Sequence, residues 1–328
     1  MKVDVTEFEK QYTFTLEHVT QLCGLNIVKK TYVLESIRRY FSTYKYQEER
    51  NKWRDNVKVD DETIGRKYFS VVSVKGIPDL LPLIKWSKQS LMMEYVKQLM
   101  QKFEWQTHLR AIHTELEKLY QILNDDVQQL GGVELTYDMS EVWDMIQKSS
   151  VVGSEQVPLE DTGNAELITI FLNLIEEIMK FSPKKMLVIV ENMDHLVSRK
   201  EYGEVINKMR FIGMNFDVYF IVSTSIDGYV KMDRELCDGI TVFGDTDFQM
   251  PEFDKILQYI NEHYPVNKQF AEERLYVLLE KVIHRIGQKK FLYNIEENVI
   301  CKLINQTLML SDDWGDVESV PELAFLRA

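Results

Sequence analysis

The sequence predicts an α/β protein with a parallel sheet, a helical leg and a helical extension toward its C-terminal end. A continuous apolar run at residues 186–190 and a second at residues 217–222 enclose a helical pattern. This order is typical of a strand-helix-strand crossover in a parallel sheet. In addition, residues 24–31 follow a strand pattern and precede a helical one, as a phosphate-binding loop does.

Residues 24–31 contain a damaged version of the motif G-x-x-x-x-G-K-[ST]. Gly24, Lys30 and Thr31 fit the motif, but Lys29 occupies the position of the second glycine. The motif wraps backbone N–H groups around a phosphate, and its glycines allow the positive φ and the close approach that this requires. We therefore expect a degenerate phosphate loop (P-loop) and no bound nucleotide. The alternative is an ordinary strand-to-helix turn in which Lys29 and Lys30 face water.

The elements around this loop are predicted from short patterns. Residues 14–16 and 19–23 show strand patterns, residues 32–41 a helix with an apolar face, and residues 66–73 another strand. Strand, loop and helix then follow in the order that a phosphate loop needs.

A long helical pattern follows these strands. Apolar residues recur in steps of three and four from Met92 to Leu130, which predicts one continuous helix of near-heptad pattern. Such a helix needs an apolar partner, and the stripe at residues 167–178 is one candidate. Together these patterns predict a helical leg.

The remainder of the sheet is predicted after the leg. Asp194 is expected to be the N-cap of a helix over residues 197–214, and residues 240–243 to form another strand. Helical patterns continue after Pro251. The predicted domains are a head of residues 1–88 and 182–248, a leg of residues 89–181 and an extension of residues 249–328.

Composition and charge exclude several classes of protein. The 328 residues are 45% hydrophobic, and the three cysteines lie far apart, which predicts a globular protein of the reducing cytoplasm without a disulfide framework or zinc site. No signal peptide or membrane span is expected. The net charge is −13, yet residues 28–67 hold 11 Lys and Arg against 7 Asp and Glu. This basic segment is compatible with binding to a phosphate backbone, or with a solvated loop of balanced charge.

The acidic residues of the sequence fit two roles. The strand at residues 186–190 ends in Glu191-Asn192, a single carboxylate where a phosphate-transferring enzyme has an acidic pair, so no enzymatic activity is predicted. A second acidic group offers the oxygen ligands that calcium prefers. Its members are Asp125, Asp126, Glu134, Asp138, Glu141 and Asp144. The alternative is that Asp138 and Glu141 form a capping box at a helix start.

The order of these parts resembles the Csn-two family in its large variants. The resemblance is carried by the spoiled phosphate loop, the helical leg, the turn and helix at residues 134–144 and the strand at residues 184–192. Members are accessory proteins of type II-A CRISPR loci, needed to acquire new spacers. The resemblance implies an ABC-ATPase-like head without ATPase activity, and a homotetrameric ring whose basic inner wall holds double-stranded DNA, preferably at ends. It also implies structural calcium at Glu134, Asp138 and Asp144, with Glu141 nearby, although Thr136 replaces one carboxylate of the family pattern.

The resemblance places DNA binding on the basic loop between the first helix and the next strand. The candidates are Arg50, Lys52, Arg54, Lys58 and Lys67, with Lys29 and Lys30 as further positive charges. The implied partners are the CRISPR integrase pair and the effector nuclease, with no role for a membrane. Two rival functions stay open: a nucleotide hydrolase that uses Lys30 and Glu191, and a protein-binding scaffold built on the leg.

Overall fold

The computed structural model describes residues 1–42, 56–127, 134–136, 144–146, 148–153, 156–266, 268–288 and 294–310. The chain divides into two compact units. The sheet unit comprises Met1–Gly76 and Lys184–Ala328, and the helical unit comprises Ile77–Pro183. The helices after Pro251 therefore belong to the same unit as the strands.

The strands of the sheet unit form two sheets. Their bounds are β1 (Lys2–Glu7), β2 (Lys10–Thr15), β3 (Val19–Cys23), β4 (Val57–Val59), β5 (Ser70–Val74), β6 (Met186–Val190), β7 (Val218–Ser223), β8 (Ile240–Val242) and β9 (Phe248–Gln249). The larger sheet has the order β5-β6-β7-β3-β8-β9, and the smaller antiparallel sheet has the order β2-β1-β4.

The larger sheet is parallel from β5 to β8, and only β9 runs antiparallel to its neighbour. Every residue of β3 and β6 is buried, as expected for strands covered on both faces. The crossover predicted between β6 and β7 is confirmed.

The helices follow the strands in both units. They are α1 (Ile27–Tyr40), α2 (Ile77–Ile84), α3 (Leu91–Met100), α4 (Phe103–Val127), α5 (Asn164–Met179), α6 (Arg199–Asn215), α7 (Arg234–Cys237), α8 (Phe253–His263), α9 (Glu272–Val282) and α10 (Ile295–Thr307). Helix α6 begins at a capping box made by Ser198 and Glu201. The prediction of Asp194 as its N-cap was therefore wrong, and Asp194 lies in a short 3-10 turn, Met193–His195.

The main core lies between one face of the parallel sheet and a layer made by α1 and the antiparallel sheet. Leu22, Ile189 and Ile221 of the parallel strands pack in one cluster with Phe14 and Val33. Burial of each such side chain contributes about 1.5–3 kcal/mol relative to exposure. This core holds α1 firmly against the ends of the strands. Strands β1 and β4 were not predicted from the sequence.

The C-terminal helices share a second core with the edge of the sheet. Ile240 and Val242 of β8 pack in one cluster with residues of α8, α9 and α10, such as Ile256, Leu279 and Ile300. These helices are therefore built onto β8 rather than joined to the sheet by a linker alone.

The predicted continuous helix of the leg is two helices. Helix α3 ends at Met100, and Gln101 and Lys102 form i−3 hydrogen bonds to Gln98 and Leu99 before α4 begins. The Gln106 amide donates to the carbonyl of Met100, which the break leaves free (2.7 Å). Helix α5, which carries the predicted apolar stripe, packs against α2 and α3, whereas α4 has no buried residue in its described span.

Candidate functional site

The connection between β3 and α1 is too short to form a phosphate loop of ordinary length. Only Gly24, Leu25 and Asn26 separate the strand from the helix. The Asn26 side chain caps α1 by accepting from the Lys29 backbone N–H at 3.1 Å. The Asn26 backbone N–H in turn donates to Phe243 O at 3.0 Å. Backbone donors of this turn are thus bonded within the protein.

Gly24 is required by a close approach to the protein's own backbone. Its φ is +92°, and a Cβ added there would lie 2.3 Å from Phe243 O. The approach is tight because the Phe243 N–H donates to Cys23 O (2.9 Å), where β8 runs beside β3. No side chain fits at this position without a backbone shift.

Lys30 is buried, and its ammonium is held by groups of the protein. Its relative exposure is 3%, and Nζ donates to Gly24 O (2.7 Å), Thr224 O (2.5 Å) and Ser225 Oγ (2.6 Å). Burial lowers the pKa of Lys30 to about 8. The choice of Lys30 as a surface residue for DNA is therefore corrected, because its charged end points into the sheet unit.

Lys29 is tied down on the outer side of the same turn. Its Nζ lies 2.9 Å from Asp247 Oδ1 and donates to Gly244 O at 2.9 Å. The Asp247 carboxylate also accepts from the Gly244 N–H at 3.2 Å. The positive charge of Lys29 is consequently balanced by a carboxylate in direct contact.

Two buried polar residues beneath the turn were not predicted as part of the site. Asp194 Oδ2 accepts from the backbone N–H groups of Ser225 (2.6 Å) and Ile226 (2.9 Å). His284 Nε2 lies 3.2 Å from Thr224 Oγ1, and burial lowers the pKa of His284 to about 4. The segment after β7 thus connects Lys30, Asp194 and His284 in one buried network.

Glu191, at the end of β6, belongs to an ion-pair network. Burial raises its pKa, although Lys75, whose Nζ lies 3.5 Å from its Oε1, acts in the opposite direction. Lys75 Nζ is also 3.5 Å from Glu35, which accepts hydrogen bonds from Arg38 and Arg39. The carboxylate that could have activated a water is thus engaged with a lysine.

The described members of the predicted DNA-binding set do not form one surface. Lys29 and Lys30 follow the carboxyl end of β3, whereas Lys67 precedes the amino end of β5 in the same parallel sheet. Lys67 therefore lies at the edge of the sheet opposite to that of Lys29 and Lys30. Lys58 is exposed on β4 of the antiparallel sheet rather than in a loop. Lys67 is also exposed. Arg50, Lys52 and Arg54 lie outside the described residues.

The predicted calcium ligands are only partly described. Glu134 and Asp144 are exposed, while Asp138 and Glu141 lie outside the described residues. Among the residues that the structure describes, no group of three or more His, Cys, Asp or Glu could hold a metal ion. The described positions thus do not by themselves form a calcium site.

None of the described helices is long and apolar enough to cross a membrane.

Fold and site define an α/β protein with a largely parallel sheet, in which lysines at the carboxyl edge are bonded to the protein itself. The chain belongs to the family of the CRISPR-associated protein Csn2, subfamily St, whose model matches residues 6–314. This finding confirms the family resemblance and gives the chain a place among CRISPR-associated proteins.

The match to one solved structure shows the fold. The crystal structure of Stu0660 of Streptococcus thermophilus matches with a TM-score of 0.86 and 19% identity, covering 100% of this chain and 99% of that one. The Smc head domain with an extended coiled coil from Pyrococcus furiosus matches with a TM-score of 0.40 and 10% identity, over 80% and 98% of the two chains. The structure of cbiO1 from Clostridium perfringens matches with a TM-score of 0.38 and 9% identity, covering 80% of this chain and 95% of that one. A comparison with curated proteins finds no match.

Proposed function

We propose that this protein is a non-catalytic, ring-forming binder of double-stranded DNA that supports the acquisition of CRISPR spacers. The observation that most supports a lack of nucleotide chemistry is that Lys30 is buried inside the protein. In a phosphate loop this lysine reaches the β- and γ-phosphates. Here its ammonium is already bonded to Gly24 O, Thr224 O and Ser225 Oγ.

The segment at residues 24–31 is, on this proposal, a degenerate phosphate loop. Three features support this: the three-residue connection, the Asn26 cap on the first turn of α1, and the Lys29 side chain pinned to Asp247. A helix N-terminus binds phosphate through free backbone N–H groups. Because the Asn26 side chain already accepts from the Lys29 N–H, one fewer donor is available to an anion. Glu191 supports the same conclusion, since it is paired with Lys75.

Binding to DNA is supported by family membership and by exposed lysines such as Lys58 and Lys67. The net charge of −13 disfavours binding over the whole surface. A closed ring would present one basic surface several times toward its centre, so an acidic protomer could still hold a polyanion. Lysines that contact phosphates position a duplex without reading its bases, which predicts binding independent of sequence.

Calcium and the protein partners are proposed from the family alone. Glu134, Asp138, Glu141 and Asp144 have the carboxylate chemistry that calcium prefers, and calcium bound there would stabilise the ring. The CRISPR integrase pair and the effector nuclease are the proposed partners, in the cytoplasm.

Three measurements test the proposed function. Titration calorimetry with Mg-ATP is expected to show no binding, and mobility shifts are expected to show salt-sensitive binding of linear duplex DNA and weaker binding of covalently closed DNA. Sedimentation velocity is expected to show a tetramer. Phosphate release above that of a Lys30→Ala variant would favour the hydrolase instead. Spacer acquisition that survives charge reversal at Lys52, Arg54 and Lys58 together would favour the scaffold.

A further inference from the structure

The carboxyl edge of the parallel sheet carries exposed apolar side chains beside the connection from β3 to α1. Leu25 lies in that connection, and Ile27 and Val28 are the first two residues of α1. All three are exposed, and Val28 keeps 80% of its surface in contact with water. Because Asn26 caps the helix here, the backbone that presents these side chains is held in place.

A bulky aromatic residue projects from the hairpin that joins β1 and β2. Glu7 pairs with Lys10, so Phe8 and Glu9 form a two-residue turn. Phe8 has a φ of +53° and is 90% exposed. Turns of this length need a positive φ, which Gly and Asn adopt at little cost and a bulky side chain does not. Phe8 therefore combines backbone strain with exposed apolar surface, a combination typical of binding sites.

A hydrogen bond holds the end of this hairpin against α1. Tyr32 Oη donates to Thr6 O at 3.0 Å, and the Tyr32 ring lies 6.0 Å from that of Tyr12 on β2. Val28 is one helical turn before Tyr32 on the same face of α1, and Phe8 is two residues after Thr6. Phe8 and Val28 therefore belong to neighbouring parts of one surface.

We propose that this carboxyl-edge patch, defined as Phe8, Leu25, Ile27 and Val28, is a surface through which two copies of the chain associate about a two-fold axis. A two-fold interface uses the same patch on both copies, so one patch must supply a projecting group and the surface that receives it. This chain carries both, because Phe8 projects from the hairpin and Ile27 and Val28 present an apolar helical turn beside it. The proposal rests on the ring proposed above and assigns one of its interfaces.

The charges beside the carboxyl-edge patch favour a second copy over a polyanion. Lys29 Nζ is 2.9 Å from Asp247 Oδ1, and Lys30 is buried. At the tip of the hairpin, Glu9 and Lys10 have opposite signs. A polyanion would therefore gain little at this patch, whereas two copies can face each other there without bringing unmatched lysines together.

Sedimentation velocity over a concentration series tests this interface in the full-length protein. Val28→Glu places a carboxylate in the patch, and the desolvation of that charge opposes association. A loss of about tenfold per copy is the size of an ordinary hot spot, and a two-fold interface contains each substitution twice. The dissociation constant is therefore expected to rise about a hundredfold, and the tetramer is expected to separate into smaller species.

The matched control places the same charge at the start of another helix. Ile295→Glu replaces an exposed β-branched residue at the first position of α10, as Val28→Glu does at the second position of α1. A carboxylate in the first turn suits the helix dipole at both sites, so both variants are expected to fold, which melting curves check. Only Val28→Glu should raise the dissociation constant, and equal effects of the two variants would overturn the assignment.

Phe8→Gly separates the proposed interface from a structural role of Phe8. Glycine accepts the positive φ, so adding Phe8→Gly to Val28→Glu, whose chains are already apart, should not lower the melting temperature. Alone, Phe8→Gly should also raise the dissociation constant about a hundredfold. If both single variants keep the assembly of the unmodified protein, the assignment is wrong while the proposed ring stands on another surface. If the unmodified protein sediments as a monomer at every concentration, the ring and the assignment are both wrong.

Discussion

Replacing Lys30 by methionine tests whether this lysine is a structural residue. The change removes the donor from Gly24 O, Thr224 O and Ser225 Oγ while keeping most of the side-chain volume. An orphaned buried acceptor costs about 1–3 kcal/mol. Because Ser225 is only half-buried and can turn to water, we expect Lys30→Met to lower the free energy of unfolding by about 3–5 kcal/mol in total.

The control is Lys29→Met, one position earlier on the same helix. Lys29 and Asp247 keep 20% and 26% of their side-chain surface exposed, so loss of this pair is expected to cost only about 1 kcal/mol. Urea denaturation followed by far-UV circular dichroism, at one protein concentration, measures both variants. Equal losses in Lys30→Met and Lys29→Met would refute the structural role of Lys30. They would also reopen the possibility that Lys30 serves a ligand.

The lowered pKa of Lys30 adds a pH signature to this comparison. The folded protein releases the Lys30 proton near pH 8, whereas the unfolded chain holds it to about pH 10.5. Between these values the unfolded state binds more protons, so the contribution of Lys30 to stability rises with pH. After deprotonation two N–H groups still serve the carbonyls, and the Ser225 hydroxyl can donate to the amine. The stability difference between the unmodified protein and Lys30→Met should therefore widen from pH 8 to 10.5, and a difference that narrows would contradict this account.

Three further predictions follow from the same geometry. Gly24→Ala should destabilise the protein by about 2–4 kcal/mol in urea denaturation, since its Cβ would meet Phe243 O at a positive φ. The control is Gly65→Ala, whose Cβ would meet no atom within 4 Å and which should cost less than about 1 kcal/mol. Burial alone would raise the pKa of Glu35, but hydrogen bonds from Arg38 and Arg39 lower it to about 2. The contribution of Glu35 to stability is therefore present above pH 4.5 and is lost as the pH falls toward 2. In acid titrations Glu35→Gln should lack this loss, and an unchanged profile would contradict the assignment. Chelation should lower the melting temperature of the unmodified protein if calcium binds at Asp138, and an identical response of Asp138→Ala would exclude Asp138 as a ligand.

The parts of the fold that were predictable from sequence are those with a local pattern. The apolar runs of β6 and β7 and the amphipathic face of α1 each show their period within a few residues, and the structure confirms them. The pairing of β4 with β1 has no such signal. Val57–Val59 is a three-residue strand, and its partner lies more than 50 residues earlier. The break between α3 and α4 at Gln101 was also not predictable from the sequence, because the apolar spacing continues across it.

The sequence shows which residue types occupy residues 24–31, but it does not predict the environment of Lys30. Its acceptors Thr224 and Ser225 are 194 and 195 residues away in sequence. A pattern of residue types states which group is present, whereas the direction of a flexible four-carbon side chain depends on the fold around it. The same reason explains why Asp194 was predicted as a helix cap although it accepts from Ser225 and Ile226.

The distribution of charge between the two edges of the sheet bears directly on where a ligand can bind. In open parallel sheets, ligands usually bind outside the carboxyl ends of the strands. At that edge, the Lys30 ammonium is bonded to three oxygens of the protein, Lys29 is paired with Asp247, and Glu191 is paired with Lys75. A polyanion binding there would have to break these internal pairs and leave buried polar groups unsatisfied, at a cost of about 1–3 kcal/mol each. Lys67 at the amino edge is exposed, so a polyanion that contacts it does not have to break these internal pairs. The DNA binding proposed above is therefore energetically easier at the amino edge of the sheet than at the carboxyl edge.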